Sequence, residues 1–433
     1  MKSLLLTLPL AHAAVVTHLL QPRQFDLFGL QAGMAGPVKP AILKTKSTPL
    51  IDSGAVREKL LWGPFPLQPA NGSHPAGTTL KLDPASDVIS TKISGLCTDC
   101  MVLFAKADLA TKTGEKADIG QGVYSHHVII TDIGHPMVMM PVTVRCPGGG
   151  MGGFNFGGMM AGSKGGDAAA KGGSGMAGMS HGGHAPVVQR RQASDSPLSG
   201  LLGALGKLGS TLSTLAPPIS VFVGQGDEGS GLTFQTKGST LKSGFYLSAK
   251  DQLNMMAEVI NYKNVGQDVY ITLEYEYIPN LPTRPKEYLD VGMGAINVDP
   301  CGKVALHPPA DKPVKYTSLP WDVVGDGYLL DIRPHLHDGG VNMTFSVNGK
   351  VACSSQAVYG GTDGGAVING EKWETITAYT PCGDHVAIKK GDKLTMEAWY
   401  DLTAHRLRPQ STDHAESAEG MALANFIYAK QVA

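Results

Sequence analysis

VYITLEYEY, residues 269–277, alternates large apolar or aromatic side chains with other residues at a period of two. This alternation is typical of a half-buried β-strand, because successive side chains of a strand point to opposite faces of its sheet. Residues 341–347 and 394–400 repeat the pattern, and Asn348-Gly349 after the first of them predicts a hairpin turn. The sequence therefore predicts an all-β fold.

The 433 residues are more than one sandwich domain needs. A Pro-rich stretch over residues 279–285 is typical of a domain boundary. We expect two antiparallel, jelly-roll-like β-sandwich domains, at residues 46–280 and 286–433.

An insert at residues 148–216 interrupts the first predicted sandwich. Its first part, 148–185, holds 16 glycines and five methionines. Such a segment cannot bury enough apolar surface to offset its backbone entropy, so we expect it to be disordered. Leucines at helical spacing over 198–215 predict a short helix that ends at Pro217-Pro218. The dibasic Arg190-Arg191 between these parts is a candidate cleavage site for a processing protease.

The N-terminus has the pattern of a secretory signal. Lys2, a short apolar run and the small-x-small Ala11-His12-Ala13 predict a signal peptide at residues 1–13, followed by a leader or surface arm at 14–45. We therefore expect a secreted, extracellular protein.

Secretion agrees with the cysteines and with two sequons. The six cysteines would form three disulfides in an oxidising compartment, although 15 pairings are open. These candidates are Cys97, Cys100, Cys146, Cys301, Cys353 and Cys382. Asn71 and Asn342 lie in Asn-x-Ser/Thr sequons and are predicted glycosylation sites.

The net charge argues against nucleic acid as a partner. Lys+Arg 36 against Asp+Glu 37 gives a net charge of -1, so no general basic excess exists to bind nucleic acid. No stretch beyond the N-terminus approaches the ~20 apolar residues of a membrane span. We expect a small-molecule or peptide substrate, which the sequence does not identify.

Two histidine motifs are candidate metal ligands. His335 and His337 are two residues apart, so on a strand both imidazoles point to one face and can reach one ion. His126 and His127 are adjacent, so one ion could take both only at a strand end, a bulge or a strong twist. The alternative for each pair is an ordinary histidine pair without a metal.

These motifs also carry a family resemblance. The chain resembles the stress-up-regulated nodulin family of plants and fungi over about residues 60–430. The pieces that carry it are Trp62-Gly63-Pro64-Phe65, Leu96-Cys97-Thr98-Asp99-Cys100, His126-His127 and Leu330-Asp331-Ile332-Arg333 running into His335-Leu336-His337-Asp338-Gly339-Gly340.

His335-x-His337 is followed by a strand, an Asn-Gly turn and a last strand that Glu419-Gly420-Met421 opens. With this order the C-terminal half is similar to the type II copper, ascorbate-dependent monooxygenases, such as peptidylglycine α-hydroxylating and dopamine β-monooxygenases. That resemblance implies an oxygen-activating copper at His335, His337 and Met421, which would abstract hydrogen from a substrate C–H bond. It implies a second, electron-supplying copper at His126 and His127. Two imidazoles with a thioether suit a copper that cycles between Cu(I) and Cu(II).

One residue departs from the family pattern. Asn261 stands where the monooxygenases bring a third histidine to the electron-supplying copper, and an amide oxygen is a poor copper ligand. The second ion would then be weak, be absent or use another residue such as His135. One or two copper ions are therefore expected, with an external reductant such as ascorbate if the protein is an enzyme.

Two other functions stay open. The protein could be a non-catalytic, stress-related extracellular binding or structural protein. It could also sequester copper through the Met- and His-rich insert.

Overall fold

The structure, a computed structural model, describes residues 37–74, 85–152 and 219–430, apart from 136–137, 139–141, 148–150, 227–228, 303–304, 361–364, 369–370, 384 and 412–416. The predicted signal peptide, most of the leader and nearly all of the insert, with its leucine helix and dibasic pair, lie outside these residues.

The described chain is built of β-strands, which confirms the predicted all-β fold. In chain order the strands are β1 (Val38–Pro40), β2 (Leu43–Ser47), β3 (Val56–Leu67), β4 (Ser86–Ser94), β5 (Cys100–Ala110), β6 (Val123–Ile133), β7 (Val142–Arg145), β8 (Met151–Gly152), β9 (Ile219–Gln225), β10 (Leu232–Thr233), β11 (Ser243–Leu247), β12 (Gln252–Asn261), β13 (Gln267–Ile278), β14 (Leu289–Asn297), β15 (Val314–Thr317), β16 (Trp321–Val323), β17 (Gly327–Leu336), β18 (Gly340–Val347), β19 (Lys350–Tyr359), β20 (Gly365–Ile368), β21 (Glu371–Glu374), β22 (Ile376–Tyr379), β23 (Val386–Ile388), β24 (Lys393–Tyr400) and β25 (Ala422–Lys430). A 3-10 helix, Ile119–Gln121, precedes β6, and the described ranges contain no α-helix.

Three large sheets organise these strands. Sheet I has the order β1-β4-β12-β6-β9, and sheet II has the order β2-β3-β13-β5-β11-β14-β25-β17-β23 with β10 paired to β5. Sheet III has the order β22-β19-β18-β24-β16-β7-β8 with β15 paired to β24, and β20 and β21 form a separate pair. Among the described strands, β1–β4 and β11–β14 are parallel pairs and the other pairs are antiparallel.

Two hydrophobic clusters lie between the sheets. The larger cluster takes side chains from sheets I and II and includes the fully buried Trp62. The second takes side chains from sheets II and III, with Trp321 fully buried. Sheet II therefore contributes to both cores, and truncating either tryptophan to alanine would cost about 3–5 kcal/mol.

Strands from both predicted domains share sheets. Strand β7 pairs with β16 in sheet III, and sheet II runs from β13 and β5 into β14, β25 and β17. The boundary at residues 280–286 stays a prediction.

The six cysteines form three disulfides. The pairs are Cys97–Cys100, Cys146–Cys301 and Cys353–Cys382. Disulfides of this kind persist in oxidising compartments, which agrees with an extracellular protein.

No helix in the described part of the chain is long and apolar enough to cross a bilayer.

Candidate metal centre

A β-bulge in β6 directs two adjacent histidines to one side. Along the β6–β12 pairing, Glu258 opposes His127 while Val259 opposes Ser125, so His126 is the extra residue of the bulge. Such a bulge re-aims the local side chains, which in a regular strand would alternate between faces. The rings of His126 and His127 consequently have centroids 4.3 Å apart.

The end of β17 in sheet II brings two more histidines to the same place. His335 is in β17 and His337 follows directly after it. The ring centroid of His337 lies 5.2 Å from that of His126, and the ring of His335 lies 5.4 Å from that of His127. The two sequence motifs, about 210 residues apart in the chain, therefore meet between sheets I and II.

Three of the four histidines are arranged as metal ligands. One ring nitrogen from each of His126, His127 and His337 lies within 4.8 Å of the other two, and all three residues are buried. The Nε2 atoms of these three histidines have no hydrogen-bond partner among the described residues. Burying polar atoms without partners is unfavourable, so unpartnered nitrogens in a cluster of three buried histidines fit a bound ion.

Acceptor groups lie near the Nδ1 atoms of the three rings. His126 Nδ1 lies 3.1 Å and His127 Nδ1 3.7 Å from Oε2 of Glu258. His337 Nδ1 lies 2.9 Å from the main-chain oxygen of Glu419, which can only accept, so Nδ1 carries the proton. In the neutral ring Nε2 then has the free lone pair, as a metal-ligating histidine requires.

The charges favour ligation by neutral imidazoles. Burial, followed by the positive charge of His126, lowers the pKa of His127 to about 4. Burial and the same neighbour lower the pKa of His337 well below its ordinary value. Both rings are therefore neutral at pH 7.

His126 and Glu258 form the charged pair of the site. Burial alone lowers the pKa of His126, but the Glu258 carboxylate outweighs burial and holds that pKa above its ordinary value. Burial raises the pKa of Glu258, yet the neighbouring His126 and His127 hold it far below its ordinary value. Ser86 Oγ donates to the other carboxylate oxygen at 2.7 Å, so Glu258 is fixed as a buried carboxylate.

Asp338 anchors the turn that follows His337. Its carboxylate accepts hydrogen bonds from Trp373 Nε1 at 2.9 Å, Thr375 Oγ1 at 3.0 Å and the Ile376 amide at 3.0 Å. Gly339 then has φ +90°, and a Cβ there would lie 2.4 Å from Leu402 Cδ2. The Asp-Gly after the His-x-His motif therefore fixes the turn beside His337.

Met421 lies beside His337 on the neighbouring strand edge. The His337 amide donates to the Met421 carbonyl oxygen at 3.1 Å, and the β17–β25 register, with His335 opposite Leu423, continues to place residues 337 and 421 opposite each other. Opposed residues of an antiparallel pair direct their side chains to the same face. Met421 itself is buried.

Asn261 is fully engaged in a loop. Its Nδ2 donates to the Gln68 and Val265 carbonyl oxygens, and its Oδ1 accepts from the Lys263 amide and Gln267 Nε2, all at 2.8–2.9 Å. The side chain is completely buried. Asn261 therefore holds the β12–β13 connection.

His135 is not part of the histidine cluster. It lies beyond the opposite end of β6 from His126, roughly 25–30 Å away at the rise of an extended strand. Its ring stacks on Phe245 and faces Asp290. It does not replace the missing third histidine.

Glu258 and Glu419 are site residues that the sequence analysis missed. A lone acidic residue within the apolar run of β12 was the available signal for Glu258. Its Oε2 holds both histidines of the bulge. Glu419 gave no such signal, because it acts mainly through its main-chain oxygen.

The two predicted glycosylation sites differ in exposure. Asn71 is exposed, whereas Asn342 in β18 is partly buried. Glycosylation of either residue stays a prediction.

Fold and site together define an all-β, disulfide-bonded protein with a buried histidine cluster that could hold a metal ion. Comparison with known proteins adds two distant fungal relatives. The chain is 24% identical over 209 residues to the probable copper-dependent oxygenase M1 of Phoma sp., and 23% identical over 207 residues to the probable copper-dependent oxygenase clz3 of Cochliobolus lunatus.

Each alignment covers 48% of this chain, and the chain spans 51% of M1 and 64% of clz3. No protein-family profile matches. The solved structure of PNGF-II aligns over 85% of this chain and 66% of its own, at 11% identity and a TM-score of 0.32, which supports no conclusion.

Proposed function

We propose that the protein is a copper-dependent oxygenase whose copper is bound by the Nε2 atoms of His126, His127 and His337. The observation that carries this proposal is that one ring nitrogen from each of three buried histidines lies within 4.8 Å of the other two, while the Nε2 atoms of these histidines have no hydrogen-bond partner among the described residues. Imidazole is a preferred ligand of copper, so the donor set fits the ion. Similarity to two probable copper-dependent oxygenases supports the choice of metal and of reaction class.

Neighbouring residues of the chain orient the three histidine ligands. Bound copper would supply the one-electron redox chemistry that activates oxygen. Glu258 orients His126 and His127 through their Nδ1 atoms, and the Glu419 carbonyl orients His337. Such contacts fix ring orientation and raise the basicity of the ligating nitrogen. The burial of all three rings excludes bulk water from the ligands.

His335 and Met421 form the additional donor set of the proposal. The His335 ring lies 5.4 Å from that of His127 and 5.7 Å from that of His337, so it borders the same space. The strand register supports Met421 on the face of His337. A thioether favours Cu(I), which suits an oxygenase supplied with electrons by an external reductant such as ascorbate. The number of coppers bound per chain would show whether the four histidines and Met421 hold one ion or two.

The finer family assignment belongs to the same proposal. The stress-up-regulated nodulin motifs and the type II copper monooxygenase pattern would make the reaction a hydroxylation at a substrate C–H bond. The substrate would be a small molecule or a peptide, and the protein would act outside the cell.

Copper content is the direct test. Protein purified from a secreting host should contain about one or two coppers per chain by elemental analysis. His337→Gln should lose copper, because it removes one of three ligands, while His307→Gln, which alters an exposed histidine, should keep it. Ascorbate-dependent oxygen consumption should follow the copper content. Copper-free, folded wild-type protein after reconstitution would disprove the proposal.

The presence of Asn261 in place of a histidine supports a second candidate function. Under it the protein is a non-catalytic extracellular binding or structural protein that keeps the all-β fold. The four hydrogen bonds of Asn261 leave the histidine cluster without the third ligand of the electron-supplying site. Under this alternative His337→Gln would lose bound copper yet leave the biological function intact. Copper sequestration by the insert concerns residues outside the described ranges, and deletion of 148–185 tests it.

A further inference from the structure

A second cluster of ligating side chains lies at the far end of β6, away from the histidine cluster. Asp132 in β6, His135 just beyond it and Asp251 before β12 each offer one ligand atom within 4.8 Å of the other two. Asp290, at the start of β14, places Oδ1 3.5 Å from Nε2 of His135. The cluster therefore joins sheet I to sheet II at the end opposite the copper ligands.

Asp132 shows that this cluster is more than a surface group of acids. The residue is completely buried, yet neither carboxylate oxygen has a hydrogen-bond partner among the described residues. His135 Nε2 and Asp290 Oδ1 are likewise buried and unpartnered there. A buried carboxylate without partners is strongly unfavourable unless it takes up a proton or a cation neutralises it.

The charges of the cluster call for more positive charge than one protonated histidine supplies. Asp132, Asp251 and Asp290 bring three carboxylates against the single ring of His135. Burial, and then repulsion from Asp251, raises the pKa of Asp132 to about 7, a sign that His135 leaves negative charge uncompensated.

The local backbone fits close approach of these ligands. Gly134 has φ +122°, and a Cβ at that position would lie 3.1 Å from Oδ1 of Asp251. The Ser248 amide and hydroxyl donate to Asp251 at 2.7 and 2.8 Å, which fixes that carboxylate. A cavity of about 260 Å³ is lined in part by Asp251 and Ser248.

We propose that Asp132, His135 and Asp251, with Asp290 as a fourth ligand, bind a divalent cation that links sheet I to sheet II. Three carboxylates and one imidazole form a hard, oxygen-rich donor set of the kind that suits Mn²⁺ and also accepts Zn²⁺. The 3.5 Å between His135 Nε2 and Asp290 Oδ1 is long for a hydrogen bond. It is close to the separation of two ligands of one ion, given metal–ligand bonds of about 2.1 Å. The site is distinct in position and donor type from the proposed copper centre.

The test uses Mn²⁺ in a background without the copper ligands. The full-length His126→Gln/His337→Gln variant is stripped with a chelator and titrated with Mn²⁺, and free Mn²⁺ is followed by electron paramagnetic resonance. We expect about one bound Mn²⁺ per chain. Adding Asp132→Asn, which is nearly isosteric, should weaken that binding at least 100-fold, whereas Asp268→Asn on an exposed part of β13 should leave it unchanged.

Circular dichroism establishes that each variant is folded. If Asp132→Asn does not fold, His135→Gln and Gly134→Ala provide the comparison, and both should weaken Mn²⁺ binding. The melting temperature of the parent variant should rise with Mn²⁺ and that of the ligand variants should not. Absence of bound Mn²⁺ in the folded parent, or binding that survives in Asp132→Asn and in His135→Gln, would overturn the proposal. Neither result depends on copper binding.

Discussion

At the scale of single residues, the candidate copper centre depends on the difference between histidines that carry a charge and histidines that do not. Glu258 holds the pKa of His126 above its ordinary value, whereas burial lowers the pKa values of His127 and His337. A neutral imidazole can ligate a metal without first releasing a proton. His127 and His337 are therefore ready to ligate at pH 7, whereas Glu258 favours the protonated form of His126.

The neutrality of His127 predicts a loss of stability in acid. The folded metal-free protein keeps His127 neutral down to about pH 4, whereas the unfolded chain takes up the proton near the ordinary value of 6.5. Unfolding therefore binds a proton in this window, and the free energy of unfolding falls as pH falls through it. The contribution of His127 is about 3 kcal/mol, present above pH 6.5 and lost towards pH 4.

Urea unfolding of the metal-free wild type and His127→Gln at a series of pH values measures this contribution. The stability difference between the two proteins should shrink by about that amount from pH 7 to pH 4. His307→Gln serves as the control, because that histidine is exposed. A pH-independent difference between wild type and His127→Gln would contradict the prediction.

At the scale of secondary structure, one irregular step in one strand pair decides the site. The bulge at His126 lets two consecutive residues of β6 face sheet II, and Glu258 of β12 lies opposite that bulge. The end of β17 supplies His337, and the Asp338 hydrogen bonds fix the turn after it. Regular strands alone would direct His126 and His127 to opposite faces.

Because Glu258 lies opposite the bulge, we expect its substitution to weaken copper binding. Glu258→Gln keeps the shape of the side chain but removes the charge that orients His126 and His127. Loss of such a supporting contact typically weakens metal binding by about 10–100-fold. Competition with a chelator of known affinity measures the change, with the exposed Glu115→Gln as control. Unchanged copper affinity in Glu258→Gln would show that the bulge alone positions the ligands.

At the scale of the whole molecule, sheet II joins the two hydrophobic cores and disulfides link distant parts of the chain. Cys146 follows β7 and pairs with Cys301 after β14, across 155 residues. Cys353–Cys382 closes a loop with a separation of 29. A disulfide restricts the unfolded chain more strongly when it closes a longer loop.

The disulfides should therefore differ in their contribution to stability. In the chain-entropy model, loss of Cys146–Cys301 costs about 5 kcal/mol and loss of Cys353–Cys382 about 3.5 kcal/mol. Calorimetric melting of Cys146→Ser/Cys301→Ser beside Cys353→Ser/Cys382→Ser compares them. The first double variant should melt at the lower temperature, and the reverse order would contradict the entropic explanation.

The sequence alone predicted the strands and named candidate donor residues, because both depend on local chemistry. The alternation over residues 269–277 lies within β13, and the predicted hairpin at Asn348-Gly349 joins β18 to β19. His126, His127 and His337, three of the predicted metal residues, are the three that converge. Side-chain period and donor chemistry can be assigned without knowing which strands are neighbours.

The tertiary structure alone decided which of these residues meet. The family resemblance assigned His126-His127 and His335-x-His337 to separate ions, whereas the packing of sheet I against sheet II brings their rings side by side. The bulge register, the part played by Glu258 and the grouping of Asp132 with Asp251 have no local signature. They follow from long-range strand pairing, which depends on the packing energy of the whole fold rather than on any nearby residue.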